Sequence, residues 1–197
     1  MSGRVIPIRR FDGRVEEMSD EALVAACAVA DQAALSALFD RHHLRVHRFL
    51  CRVAGVRSSE AEDLLQDTFA AAWVSAKRYR GDSPALTWLF GIAANVARNH
   101  VRGRERGARA LTTLLDEPQA PSPRADETAE KHQALVRLDK ALRDLPHDHR
   151  VALVMCDLEG ATGNDAAKAL GVRPGTIWRW LHEARKDLRV ALDEGSR

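Results

Sequence analysis

Asn95, Arg98, Asn99 and Arg102 recur at intervals that would align their side chains along one ridge of a helix. A merely solvated face would carry mixed Glu and Lys. Amides and guanidiniums in a row instead offer directional hydrogen bonds to base edges and phosphates. Just upstream, Lys77, Arg78, Tyr79 and Arg80 place an aromatic ring among cations, the makeup of a single-strand stacking site. A second candidate lies between Glu159 and Leu188. There Gly175, Arg179, His182 and Lys186, flanked by Trp178 and Glu183, share a helix face opposite Ile177, Leu181, Ala184 and Leu188. A short glycine-containing turn ahead of a cationic helix is the helix-turn-helix arrangement that enters the major groove. An ordinary helical hairpin with a solvated charged face would give the same local pattern.

Other clusters have a weaker claim to chemistry. His43, His47 and Cys51 follow one another at helical-turn spacing and could share a face that holds a metal. They border an apolar stripe, however, where a partly buried ring is the simpler reading. His147-Asp148-His149 looks like a fragment of a hydrolase metal site, yet it follows Pro146 at a helix start, where Asp is a natural cap. No phosphate-cradling glycine loop, GxSxG elbow or HExxH pair is present. The expectation is a protein that binds rather than catalyses, with no catalytic residue, metal, cofactor or small-molecule substrate.

The elements that must carry these stripes are helical throughout. Between Met18 and Asp193 the apolar periodicity is that of helices, with no alternating strand pattern and no hairpin dipeptide, so the fold class is all-α. Ser19 and Asp20 cap a short helix reaching about Val29, and a longer one runs to about Ala54 with Leu35, Leu38, Phe39, Val46, Phe49, Leu50 and Val53 inward. Arg41, Arg45, Arg48 and Arg52 lie outside that stripe. Ser58 and Ser59 open the next helix, with Glu62 in the capping-box position. Its outer side gathers Glu62, Asp63, Gln66 and Asp67, which either complement the helix dipole or form a docking face for a basic partner. Ser83 caps the helix of the first stripe, with Pro84 at its first position. In the helix-turn-helix, Thr162 caps the first helix, Gly171 ends it, and Thr176 is a possible cap of the second.

With 197 residues and 45% hydrophobic composition the chain can build one large or two small cores. A formal net charge of only +2 means that any nucleic-acid affinity comes from local clustering. Cys27, Cys51 and Cys156 match neither a disulfide framework nor a zinc pattern and fit buried thiols in a reducing cytosol. The N-terminus lacks the apolar run of a signal peptide, and no stretch reaches membrane-spanning length, so a cytoplasmic protein without membrane insertion is expected. Residues 1–17 read as a flexible arm and 18–106 as a first helical domain. Residues 107–127 read as a flexible linker, because DEPQAPSPRADETAE from Asp116 to Glu130 is acidic and proline-rich. Residues 128–197 form a second domain with the helix-turn-helix.

Taken together, the motifs resemble those of bacterial RNA polymerase sigma factors of the sigma-70 family, in the small two-domain extracytoplasmic-function class. AEDLLQDTFAAAW (Ala61 to Trp73) resembles the second conserved region of that family, and RYRGDSPALTWLFGIAANVARNHVRGR (Arg78 to Arg104) its promoter-melting segment. ALRDLPHDHRVALVMCDLEG and GVRPGTIWRWLHEARKDL resemble its fourth region. The match covers about residues 19–106 and 128–192, in order and on either side of a linker.

The resemblance implies roles that periodicity alone leaves open. Asp63, Gln66 and Asp67 would dock on the clamp helices of core RNA polymerase, and the fourth region on its flap. Tyr79, Arg80, Asp82 and Ser83, with Asn95, Arg98, Asn99 and Arg102, would hold the unpaired −10 promoter strand. Arg173, Thr176, Trp178, Arg179, His182, Glu183 and Lys186 would read the duplex −35 element. The linker would thread the RNA exit path, the chain would join the nucleoid when active, and an anti-sigma factor would hold it in check. Trp178 and Trp180 stand where the family commonly has basic residues, Glu183 where arginine is frequent, and Ala166 where a larger aliphatic packs. Trp180 is expected to pack inward and Trp178 to face a thymine methyl or the backbone. The alternative is a free-standing helix-turn-helix regulator that binds duplex DNA as a dimer.

Overall fold

The computed structural model describes residues 15–110 and 129–194, and among them only helices and loops occur, as the periodicity predicts. The expected arm therefore lies outside the described residues except for Val15–Glu17, a single 3-10 turn tied down by Arg41, whose guanidinium donates to the carbonyls of Val15, Glu16 and Met18. Of the expected linker, residues 107–110 continue the last helix of the first domain, and 111–127 lie outside the described residues.

Helices α1 (Asp20–Cys27), α2 (Gln32–Ala54), α3 (Ser58–Ser75) and α4 (Ala85–Ala110) build the N-terminal domain. Local chemistry sets their ends. Ser19 Oγ accepts from Ala22 N at 3.2 Å, Asp31 accepts from Ala33 N and Ala34 N, and Gly55 closes α2 in the left-handed region at φ 64°. Leu38, Val46, Phe49, Leu50 and Val53 of the stripe are buried, Leu35 and Phe39 are half-buried against the same core, and the Phe49 and Phe90 rings stack at 4.7 Å. Two capping expectations are corrected here. Helix α3 starts at Ser58 with Arg57 as its N-cap and no side-chain cap, so the Ser59–Glu62 box does not form. Helix α4 starts at Ala85, one residue after Pro84, whose carbonyl accepts Trp88 N at 3.0 Å.

The C-terminal domain comprises α5 (Ala129–Asp144), α6 (His147–Leu153), α7 (Gly163–Leu170) and α8 (Pro174–Glu194). Helix α6 continues into a π turn, Val154–Leu158, closed by Glu159 N on the Val154 carbonyl at 3.0 Å. Thr162 caps α7 as expected, and Gly171 ends it at φ 66°. Helix α8 begins at Pro174, which places Thr176 inside its first turn rather than at its cap. Asp148 also makes no cap at the start of α6, where Pro146 is the N-cap.

The two domains are packed on each other. Val151, Ala152, Val154, Met155, Ala166, Ala167, Ile177 and Leu181 join the residues of α1 to α4 in one continuous apolar core. Leu142, Leu145, Leu153 and Ala184 form a smaller cluster, with Leu138 and Leu188 against it.

Of the thiols, Cys27 is buried as expected, whereas Cys51 and Cys156 are only half-buried. Burial, helped by the Asp31 charge, pushes the Cys27 thiol up to about 11, and burial helped by Asp157 does the same to Cys156. Burial also raises Cys51. All three stay protonated near neutrality, which makes them poor nucleophiles.

Candidate nucleic-acid and polymerase interfaces

On α4, the stripe residues Asn95, Asn99 and Arg102 are exposed. Arg98 is half-buried: its Nη1 donates to Asn95 Oδ1 at 3.0 Å and its Nη2 to Asp148 Oδ1 at 2.6 Å, across the domain boundary. The stripe is thus a real ridge, with one of its cations engaged by the other domain.

The loop ahead of α4 forms a cleft of about 530 Å³ lined by Lys77, Arg78, Tyr79, Arg80, Asp82 and Ser83 together with Trp88. Tyr79 does not project as a free platform. Its hydroxyl donates to the Ser83 carbonyl at 2.7 Å, and its ring leans on Trp88 with centroids 5.1 Å apart. Burial, with the charges of Glu21, Asp20 and Asp82, raises its pKa, so the phenol stays neutral. Arg80 pairs with Asp82 at 3.0 Å on the exposed rim, and Ser83 is buried. Trp88 and the α7 residue Lys168, which completes the cleft wall, are absent from the sequence-derived set. Trp88 escapes a periodicity search because it borders the apolar stripe of α4, and Lys168 because only the packing of α7 on α4 brings it here.

On α8, Ile177, Leu181 and Ala184 are buried, while Arg173, Gly175, Arg179, His182 and Lys186 are exposed. Thr176 and Glu183 are half-buried, and Trp180 packs against the main core as expected. Trp178 is 54% exposed, yet one edge of its ring lies directly on Gly163 at the start of α7. With His182, Arg185, Lys186 and Arg189 it lines a shallow cleft of about 390 Å³. Arg185 makes a two-pronged pair with Asp157, at 2.9 and 2.6 Å. That contact orients one cation beside the exposed face of α8, and it depends on the π turn that sequence periodicity does not reveal.

A Cβ at position 163 would lie 2.8 Å from Trp178 Cζ2, closer than carbon atoms approach. Gly163→Ala is therefore expected to lift the indole off α7 with helix content unchanged. About a tenfold loss of duplex affinity, near 1.4 kcal/mol, should accompany a red shift of indole emission. Unchanged emission together with unchanged duplex binding would show that the contact does not position Trp178.

On α3, Asp63, Gln66 and Asp67 are all exposed, with Glu62 beside them. Glu60, one turn earlier, instead faces α4, where His100 and Arg104 lie 3.5 and 3.6 Å from its carboxylate. The outer acidic face is thus left to solvent. The α5–α6–α8 side carries a groove of about 370 Å³ lined by Leu138, Leu142, Leu153, Leu158, Leu188 and Leu192.

His43, His47 and His147 have ordinary partners. His43 stacks on Phe39 at 5.1 Å, and His47 Nε2 lies 3.2 Å from the Ser58 carbonyl. His147 donates from Nε2 to the Ala94 carbonyl, and burial lowers its basicity. No helix among the described residues is long and apolar enough to cross a membrane.

Residues 38–107 match the family described as Sigma-70 region 2, and residues 135–188 that described as Sigma-70, region 4. The ECF RNA polymerase sigma factor SigM of Mycobacterium tuberculosis H37Rv is 36% identical over 186 residues, covering 94% of this chain and 90% of that protein. SigL of the same strain is 33% identical over 177 residues, covering 88% and 97%. Among solved structures, CnrH in complex with the cytosolic domain of CnrY aligns with a TM-score of 0.64 at 26% identity, covering 89% of this chain and 97% of that one. The sigma factor RpoE of Bartonella quintana, in complex with the anti-sigma factor NepR, aligns at 0.63 with 28% identity, covering 79% and 96%. This helical chain, matched in both conserved regions and along nearly its whole length, belongs to the ECF RNA polymerase sigma factors.

Proposed function

We propose that this sigma factor docks on core RNA polymerase through the exposed Asp63, Gln66 and Asp67 face of α3, with the leucine groove of the C-terminal domain receiving the flap. Once docked, it holds the unpaired −10 strand with the α4 ridge and the Tyr79 to Ser83 cleft, and α8 reads the −35 duplex. The observation that carries this reading is the chemical difference between two surfaces, the cationic and aromatic cleft ahead of α4, whose wall Lys168 of α7 completes, and the exposed cationic ridge of α8. The cleft joins cations and aromatic rings, which suits an unstacked base, because stacking returns about 1–3 kcal/mol per base. That is of the order of the few kcal/mol needed to unstack and unpair a base. The α8 face is a helix ridge of hydrogen-bonding and cationic groups, which suits the major groove. Binding supplies the energy and the polymerase supplies the chemistry, so the chain itself works in the cytoplasm without catalytic residues or cofactors.

A partner that covers these faces would silence the chain. RpoE of Bartonella quintana, solved with the anti-sigma factor NepR, supports such control here. The alternative of a free-standing regulator has no use for the α3 face or the α4 ridge. Transcription by purified core enzyme on a promoter library tests the reading: defined start sites should emerge only when the chain is added. A library transcribed identically with and without it would refute the proposal.

A further inference from the structure

A cleft of about 260 Å³ opens where α4 meets α6 and α8, and half of the polar groups on its walls have no part in the faces described above. It is lined by the guanidiniums of Arg98 and Arg102, the imidazoles of His147 and His149, the Asp148 carboxylate and the Trp180 indole. Two cations against one carboxylate leave a surplus of positive charge before either histidine is counted. Arg98 commits Nη1 to Asn95 and Nη2 to Asp148, which leaves it N–H groups to spare. Arg102, one helical turn along, is exposed, and its side chain has no partner among the described residues.

Two further observations point to a ligand rather than to a solvated crevice. His147 Nδ1 and His149 Nδ1 are both buried without a hydrogen-bond partner. Buried polar atoms are nearly always paired, so two orphans bordering one cationic cleft call for polar partners. His147 donates from Nε2 to the Ala94 carbonyl, and burial lowers its basicity, so the neutral ring presents Nδ1 as an acceptor. An acceptor there needs a donor such as a hydroxyl. Trp180 is half-buried, and no aromatic ring of the described residues stacks on it. The volume falls below the about 300–1,000 Å³ of sites that enclose a whole drug-sized ligand, so the cleft suits one end of a molecule whose remainder lies in solvent.

We infer that this cleft binds a free ribonucleoside di- or triphosphate, with Arg98, Arg102 and His149 on the phosphates, His147 Nδ1 accepting from a ribose hydroxyl, and the base against Trp180. Guanidinium forks match phosphate oxygens, and an indole face accepts any base. A free ribonucleotide fits better than the promoter strand for two reasons. DNA lacks the 2′-hydroxyl that the histidine acceptor calls for. The histidines and the indole also come from α6 and α8 rather than from the exposed α4 ridge. The nucleotide and the unpaired −10 strand would both use Arg98 and Arg102, so each excludes the other. That consequence rests on the promoter-opening reading above; the binding site does not.

Calorimetric titration of the full chain with ADP tests the site. Saturable binding at micromolar concentrations is expected, with adenosine and 2′,3′-dideoxy-ADP each weaker by about tenfold or more. Arg102→Ala and His149→Gln should each weaken ADP by about tenfold with helical circular dichroism and thermal midpoint retained. Trp180→Leu should weaken ADP yet leave binding of inorganic pyrophosphate unchanged, a split that a folding defect would not produce. Absence of saturation at millimolar ADP, affinity indifferent to both Arg102→Ala and His149→Gln, or pyrophosphate bound as tightly as ADP would overturn the nucleotide site. So would tighter binding of a thymidine oligonucleotide through the same residues. With core enzyme on promoter DNA, saturating ADP should suppress permanganate-reactive thymines at the −10 element for the wild type and not for His149→Gln. Binding without suppression would overturn the competition. ADP binding as described, with no opening by any form, would instead overturn the promoter reading alone.

Discussion

Arg150→Ala is expected to destabilise the protein by about 3 kcal/mol. Arg150 is only 9% exposed, and its guanidinium donates to the carbonyls of Val53, Arg143 and Leu145, at 3.1, 2.8 and 3.1 Å. The Val53 carbonyl belongs to the last turn of α2, whose carbonyls have no partners within the helix, so an arginine of one domain closes a helix of the other. Each hydrogen bond to a charged donor contributes about 1.5–3 kcal/mol, and an acceptor left buried without a partner costs about 1–3 kcal/mol. These contributions overlap, and removing a buried cation recovers part of its desolvation cost, which brings the net to about 3 kcal/mol. Burial already lowers the basicity of Arg150, with Arg143 adding to the effect, but the group remains charged. Arg150→Lys, a single point charge, cannot span the three carbonyls and should recover less than half of the loss. Denaturant unfolding of the variants checks both values, and a change below 1 kcal/mol for the alanine variant would contradict the bridging role.

Asp63→Arg combined with Asp67→Arg should weaken binding to core polymerase by about 100-fold, near 2.7 kcal/mol. Both carboxylates lie exposed on one face of α3, away from the Glu60 pairing with α4. If a basic partner meets that face, charge reversal exchanges attraction for repulsion and leaves the partner's cations desolvated without a counter-charge. Stability should move by less than about 0.5 kcal/mol, since the positions are on the surface. A competition assay against a reference sigma factor measures the affinity, and circular dichroism confirms the fold. Unchanged affinity would remove α3 from the docking interface.

The parts of this molecule that are legible in its sequence are those decided by neighbouring residues. The α7–turn–α8 unit follows from Thr162, Gly171 and the Ile177, Leu181, Ala184 spacing, all local signals, and each takes its expected place. The errors at α3, α4 and α8 are of one kind. A serine or threonine near a helix start suits a cap, yet Arg57 and Pro84 occupy those positions and Thr176 falls within the first turn. Several residues satisfy the same cap geometry, and packing chooses among them.

What the sequence conceals is long-range. Arg45 and Arg52 read only as lying outside the apolar stripe, because Glu159, their partner, is more than a hundred residues away and reaches them through a π turn. Asp148 reads as a cap because Arg98 is likewise remote. Trp88 and Lys168 enter the Tyr79–Ser83 cleft, and Arg185 the α8 face, through helix packing rather than periodicity. The leucine groove is invisible for the same reason, since its lining is drawn from α5, the α6 segment and α8.

Permanganate reactivity of thymines at the −10 element tests most directly whether this chain opens promoter DNA as part of the polymerase. Reactive thymines are predicted when chain and core enzyme are both present, strongly reduced reactivity with Arg98→Ala and Arg102→Ala, and none with either protein alone. Tight duplex binding by the chain alone, with thymines unreactive even in the presence of core enzyme, would contradict the account and favour a free-standing regulator.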